Sequence, residues 1–125
     1  MSIKLGLNGF GRIGRLVFRA ALKHPAVEVV AINDLTDSAT MAHLLKYDSV
    51  HGVLEGEVVA KDDAIEIDQH TVAITSIKDP AMLRWQEFGV DIVAECTGLF
   101  RDRENAEKHL ASGARKVIIS APAKD

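Results

Sequence analysis

The sequence predicts an α/β fold, an open parallel sheet with helices on both faces, and three observations carry that prediction. Short aliphatic or β-branched runs alternate with stretches of helical periodicity. A glycine-rich segment, Asn8-Gly9-Phe10-Gly11-Arg12-Ile13-Gly14-Arg15, stands between the first such run and the first helical stretch. An acid, Asp34, closes the next apolar run 20 residues after Gly14.

The elements follow in order. Ile3 to Leu7 reads as a strand, and Ile13, Leu16, Val17, Ala20 and Ala21 recur at helical spacing behind it. His24-Pro25 breaks that helix, and Val27 to Asn33 is a second buried strand, parallel to the first, which completes a βαβ unit. Asp37 or Ser38 can cap a short helix through Lys46 that carries Met41, Leu44 and Leu45 on one side. Tyr47 to Gly52 reads as a loop. Val58-Val59-Ala60, Ala64 to Ile67 and Thr71 to Ile74 are short strands of an inserted β-hairpin region, with Asp68-Gln69-His70 as a turn. Asp79-Pro80 pairs a cap with a proline at the first helical position, predicting a short helix to about Phe88. Val90 to Glu95 is a further parallel strand. Asp102 can cap a helix to Ala111 that Gly113 stops, and Lys116 to Ser120 is the last strand.

The glycine segment has the chemistry of a dinucleotide site in a Rossmann-type sheet. Gly9 can make the tight turn, Gly11 lets the backbone approach a pyrophosphate, and Gly14 lets the helix pack close to the strand. The helix N-terminus, with the backbone amides of Arg12 and Ile13, offers unpaired donors to phosphate, while the Ile13 side chain packs inward. At the end of the second strand the Asp34 carboxylate can accept from the adenosine ribose hydroxyls and would repel a 2′-phosphate, which favours NAD over NADP. Ligand is expected at the carboxyl ends of the strands, where Asn8 and Gly9, Asp34, Thr97-Gly98 and Ser120-Ala121 all fall.

Size and composition bound the remainder. With 125 residues, 47% hydrophobic and 26% charged, the chain suits one soluble domain over residues 1–125. A net charge of −3 gives no general attraction to nucleic acid or anionic lipid. The apolar runs fall far short of the roughly 20 residues that span a bilayer, and the N-terminus lacks the marks of a secretory signal, so a cytoplasmic protein is expected. One cysteine, Cys96, allows no internal disulfide and no thiolate metal cluster, and the five histidines lack ligand spacing, so no metal site is expected. Cys96, at the end of a core strand, reads as a buried structural cysteine rather than a nucleophile, and the histidines as surface or capping residues.

The chain resembles the phosphorylating glyceraldehyde-3-phosphate dehydrogenases in Asn8 to Arg15, Ala31-Ile-Asn-Asp34, Leu44-Leu-Lys-Tyr-Asp-Ser49, His51-Gly52, Cys96-Thr-Gly98 and Lys116-Val-Ile-Ile-Ser-Ala-Pro122. The resemblance covers essentially the whole chain. It is also partial to erythrose-4-phosphate dehydrogenases, but those tend to carry Glu at position 34 and His-Pro at 121–122, whereas this chain has Asp34 and Ala121-Pro122. A stand-alone nucleotide-binding or regulatory module is the alternative from another class.

The resemblance implies an NAD-binding portion of a glycolytic oxidoreductase. It implies that Asn8 and Phe10 line the nicotinamide-side turn, that Lys78 and Thr97-Gly98 border the adenine end, and that Ser120 lies near the ribose or nicotinamide. It places the catalytic Ser-Cys-Thr-Thr-Asn segment and the catalytic domain beyond Asp125, so no catalytic residue is expected here. The region of Tyr47, Asp48 and His51 lies near a subunit interface in that family, which is tetrameric, and self-association is expected.

Overall fold

Residues 3–24, 26–48, 52–53, 58–67, 70–78, 82–97 and 103–119 are described by a computed structural model of the chain. Its elements run β1 (Ile3–Asn8), α1 (Arg12–Leu22), β2 (Val27–Asn33), α2 (Ser38–Lys46), β3 (Tyr47–Asp48), β4 (Gly52–Val53), β5 (Val58–Ala60), β6 (Ala64–Ile67) and β7 (His70–Thr75). A 3₁₀ turn (Trp85–Phe88), β8 (Ile92–Glu95), α3 (Arg103–Ala111) and β9 (Lys116–Ile119) follow.

Seven strands form one sheet in the order β5-β6-β7-β2-β1-β8-β9. β7, β2, β1, β8 and β9 are mutually parallel, and β5 and β6 extend the β7 edge antiparallel. The chain walks from β1 outward to β2 on one side and later returns to lay β8 on the other. That reversal opens a crevice at the carboxyl ends of β1 and β8, the usual ligand position in such sheets.

Each face of the sheet carries its own apolar cluster. On one face Phe18 and Ala21 of α1 and Met41, Ala42 and Leu45 of α2 pack against Leu5, Leu7, Val29 and Ile32. On the other, Leu83 and Trp85 of the 3₁₀ region pack with Val90, Val93 and Ala114. The pleat explains the division within β8, where Ile92 and Ala94 join the first cluster and Val93 the second. In β2 the register against β1 slips between Leu5 and Gly6, so Val30 and Ala31 both turn toward the second cluster.

Four details depart from the sequence reading. The hairpin region is part of the main sheet, because Val72 and Ile74 bury their side chains in the first cluster and seat β7 beside β2. Within Tyr47 to Gly52 the chain is not simply a loop: Tyr47 pairs with Val53 and Asp48 with Gly52 in a small antiparallel ladder. The helix expected up to Phe88 is a 3₁₀ turn over Trp85–Phe88, while Asp79 and Pro80 lie outside the described residues. Leu83 and Trp85, two residues apart, both bury in the second cluster, and a regular α-helix cannot aim such a pair at one face. Finally, α1 buries Gly14, Phe18, Arg19 and Ala21, and leaves Ile13 at 46% and Leu16 at 43% exposure. Ile13 therefore does not pack inward: Gly14 meets the strand, and the neighbouring stripe is turned out.

Candidate functional site

The loop after β1 shows why three glycines stand at this spacing. Gly9 has φ +99°, and a Cβ there would come within 2.9 Å of the Thr97 backbone nitrogen, so both conformation and space exclude a side chain. At Gly14 a Cβ would overlap the carbonyl oxygen of Gly9, which is how α1 comes to rest directly on the end of β1. Gly11 is different. Its φ of −76° suits any residue, and a Cβ would meet nothing within 4 Å. The absence of a side chain there serves neither the turn nor the packing, and leaves open space directly before a helix N-terminus.

That terminus is prepared for an anion. Gly11 is the N-cap of α1, no side chain accepts from the first-turn amides, and the first turn contains no acid. The helix dipole and the exposed N–H groups then present partial positive charge to the open space. Arg12 adds an exposed cation, and Arg15 turns back to donate from Nη1 to the Phe10 carbonyl at 3.1 Å.

A cleft of about 530 Å³ opens at this point, with Asn8, Gly9 and Gly11 on one wall and Asn33, Asp34 and Leu35 on another. Ile77 and Lys78 close it beyond β7, and Cys96 and Thr97 beyond β8. Its volume lies within the range usual for small-molecule and cofactor sites. A second hollow of about 350 Å³ lies near the opposite end of the sheet, at the carboxyl end of α1 beside Ala21, Val27 and His70.

Asp34 sits at the mouth. Its carboxylate accepts from Phe10 N–H at 2.6 Å and from Thr36 N–H at 2.9 Å, so it clamps the glycine loop and its own turn together. The cap of α2 is Asp37, which accepts from Thr40 N–H at 2.7 Å. Asp34 is therefore not a helix cap, and its acceptor oxygens stand where the loop and the cleft meet.

Beneath the cleft floor runs a chain of buried polar side chains that the sequence reading missed. Asn33 donates from Nδ2 to Asn8 Oδ1 at 2.8 Å and to the Ile77 carbonyl at 2.7 Å. Its Oδ1 accepts from Thr75 Oγ1 at 2.7 Å and Ile77 N–H at 2.8 Å. Asn8 Nδ2 in turn donates to Glu95 Oε2 at 2.7 Å, and His109 Nε2 reaches the same oxygen at 2.5 Å. Trp85 Nε1 donates to His109 Nδ1 at 3.0 Å. Polar residues ending consecutive apolar strands, Asn8, Asn33 and Glu95, were the visible signal, since a strand that is buried on both faces hides polar groups only where they can pair.

The residues singled out from sequence are thus distributed as follows. Asn8, Gly9, Gly11, Asp34, Lys78 and Thr97 come together around the cleft, Lys78 exposed at its edge. Gly14 lies buried beneath the loop, and the Arg12 and Ile13 side chains are exposed at the start of α1. Phe10 does not line the turn with its side chain: the ring is 3% exposed and packs edge-on against Phe18 at 5.8 Å, leaving only its backbone at the site. Gly98, Ser120 and His51 lie outside the described residues. Cys96 is half-buried rather than buried, because it forms part of the cleft wall while touching the first cluster. His109, expected at the surface or as a cap, is fully buried, since both ring nitrogens find partners inside. Among the described residues no group of three or more His, Cys, Asp or Glu is arranged to hold a metal ion, and no helix is long and apolar enough to cross a membrane.

Residues 3–103 match the family described as "Glyceraldehyde 3-phosphate dehydrogenase, NAD binding domain". The chain is 59% identical over its whole length to the glyceraldehyde-3-phosphate dehydrogenase of Geobacillus stearothermophilus and 60% to that of Priestia megaterium, covering 37% of each relative. It is 54% identical to glyceraldehyde-3-phosphate dehydrogenase A of Escherichia coli, again over all of this chain and 38% of the relative. The chain therefore spans little more than a third of the length of these relatives.

Proposed function

The chain belongs to the glyceraldehyde 3-phosphate dehydrogenase family, where it corresponds to the NAD-binding domain, and from that premise we propose which of its residues hold NAD and what the complete protein does with it. The observation that carries the assignment is Gly11: open space where a Cβ would stand, in front of an α1 N-terminus with no side-chain cap. Pyrophosphate fits that space, with the backbone amides of Arg12 and Ile13 donating to it, while those of Gly9 and Phe10 are held by the Asn33 carbonyl and the Asp34 carboxylate. Asp34 then accepts from the adenosine ribose, exchanging or sharing its bond to Phe10 N–H. Lys78 and Thr97 border the adenine end and Asn8 the nicotinamide-side turn, all three on the cleft wall together with Leu35. Gly98 and Ser120 are assigned to the same site by sequence resemblance.

Bound NAD supplies the hydride acceptor for oxidation of an aldehyde. In the complete protein that aldehyde is glyceraldehyde 3-phosphate, held as a thiohemiacetal on a cysteine, and phosphate releases the resulting thioester as an acyl phosphate. This chain holds the dinucleotide and supplies no nucleophile: mixed with NAD, aldehyde and phosphate it forms no NADH. The complete protein is proposed to be a cytoplasmic homo-oligomer.

Calorimetric titration with NAD and NADP tests the assignment. NAD binds more tightly than NADP, because the Asp34 carboxylate opposes a 2′-phosphate, and Asp34→Ala weakens NAD and narrows the difference. Equal affinity for the two cofactors in the unmutated chain removes Asp34 from its role.

A further inference from the structure

Glu95 ends β8 at 1% exposure, and His109 of α3 stands against it at 0%. A carboxylate in such a place is tolerated only among donors. Donors to it include Asn8 Nδ2 at 2.7 Å, His109 Nε2 at 2.5 Å, and Thr97 through both its N–H at 3.2 Å and its Oγ1 at 2.5 Å. The direction of these bonds is determined from the far end. An indole N–H can only donate, so His109 Nδ1 accepts from Trp85 Nε1, and the imidazole proton sits on Nε2 facing Glu95.

The consequence reaches the cleft. Asn8 donates to Glu95 and accepts from Asn33, so its carboxamide has one orientation. The Thr97 hydroxyl gives its one proton to Glu95, so toward any other group its oxygen can act only as an acceptor. Asn8 and Thr97 line that cleft, whereas Glu95, His109 and Trp85 lie behind it.

We propose that Glu95 and His109 are positioning residues for NAD: the buried pair fixes the Asn8 carboxamide and makes Thr97 Oγ an acceptor toward the cofactor, without either touching it. The inference rests on the cleft being the NAD site. It commits the contact at Thr97 to a donor group of the dinucleotide, a ribose hydroxyl or an amide N–H. It also couples cofactor occupancy to the indole of Trp85, the only tryptophan in the chain.

The test is NAD titration by calorimetry below the melting temperature of each variant, beside the indole N–H resonance of Trp85. Glu95→Gln, which puts an amide donor where Asn8 and His109 donate, and His109→Phe, which removes the Nε2 donor, each weaken NAD about tenfold or more. His109→Gln, whose side-chain N–H replaces that of the imidazole Nε2, stays within about threefold of the unmutated chain. In the unmutated chain the indole resonance shifts on adding NAD, with the half-saturation found by calorimetry. Folded Glu95→Gln and His109→Phe proteins that bind NAD as the unmutated chain does overturn the proposal, as does an equal loss in His109→Phe and His109→Gln, which would mean packing alone. An indole resonance that ignores bound NAD overturns it too, with no variant required. Failure of the unmutated chain to bind NAD at all sinks instead the assignment of the cleft.

Discussion

Gly11 and Gly14 have the same side chain for opposite reasons. A methyl at position 14 has nowhere to go, because the Gly9 carbonyl occupies its place, so Gly14→Ala is expected to destabilise the fold by about 1–3 kcal/mol, as overpacked sites do. At position 11 the added methyl meets open space and an ordinary φ, so Gly11→Ala costs only the preference of an N-cap for glycine over alanine, about 0.5–1 kcal/mol. It nevertheless weakens NAD, since the methyl stands where pyrophosphate approaches. Chemical denaturation paired with NAD titration separates the two, and a Gly11→Ala protein that binds NAD normally would remove the pyrophosphate from that position. At this scale the sequence was informative, because the identity of a glycine carries its constraint. It said less about Phe10, whose ring could serve the cleft or the core until Phe18 was seen beneath it.

Among the elements, α2 shows a cap with a measurable pH signature. Asp37 accepts from the Thr40 backbone N–H and then from the Thr40 hydroxyl, and these bonds hold its carboxyl below the usual 3.8. A carboxyl lowered in the folded state stabilises the helix when ionised, so the contribution is present above 3.8 and is lost as the pH falls through the lowered value. Protection of the Thr40 and Met41 amides against hydrogen exchange, taken relative to the intrinsic rate at each pH, is expected to fall over that acidic window, and Asp37→Ala to lower it at neutral pH as well; protection unchanged by the substitution would take the cap away from Asp37. The choice between Asp37 and Ser38 as cap could not be made from the sequence, since both side chains can serve. The structure decides it: the Ser38 hydroxyl instead donates to the Lys61 carbonyl, tying α2 to the loop after β5. The apolar stripe of α1 was ambiguous for a similar reason. Ile13 and Leu16 suit burial as well as Phe18 and Ala21, and contact with the strand through Gly14 selects between the two stripes.

For the whole molecule, apolar surface is the open term. Ile13 and Leu16 on α1, Leu110 on α3 and Ile118 on β9 are each more than 40% exposed. Exposed apolar surface of this kind favours association with further protein. The chain is therefore expected to self-associate, and sedimentation should give a mass above that of one copy that rises with concentration; a monomer throughout would contradict this.

The strand-helix alternation, the glycine cradle and the acid at position 34 were legible because each depends on local periodicity or on the size of one residue. The floor of the site was not. Asn33, Glu95, Trp85 and His109 are separated by up to 76 positions, as Asn33 and His109 are, and they become one hydrogen-bonded chain only when β2, β1, β8 and α3 are set side by side. Hydrogen bonds act over about 3 Å and in fixed directions, so partners distant in sequence carry no mark of one another. Only the assembled sheet brings them within reach, and with them the reason a buried acid and a buried histidine lie behind the cleft.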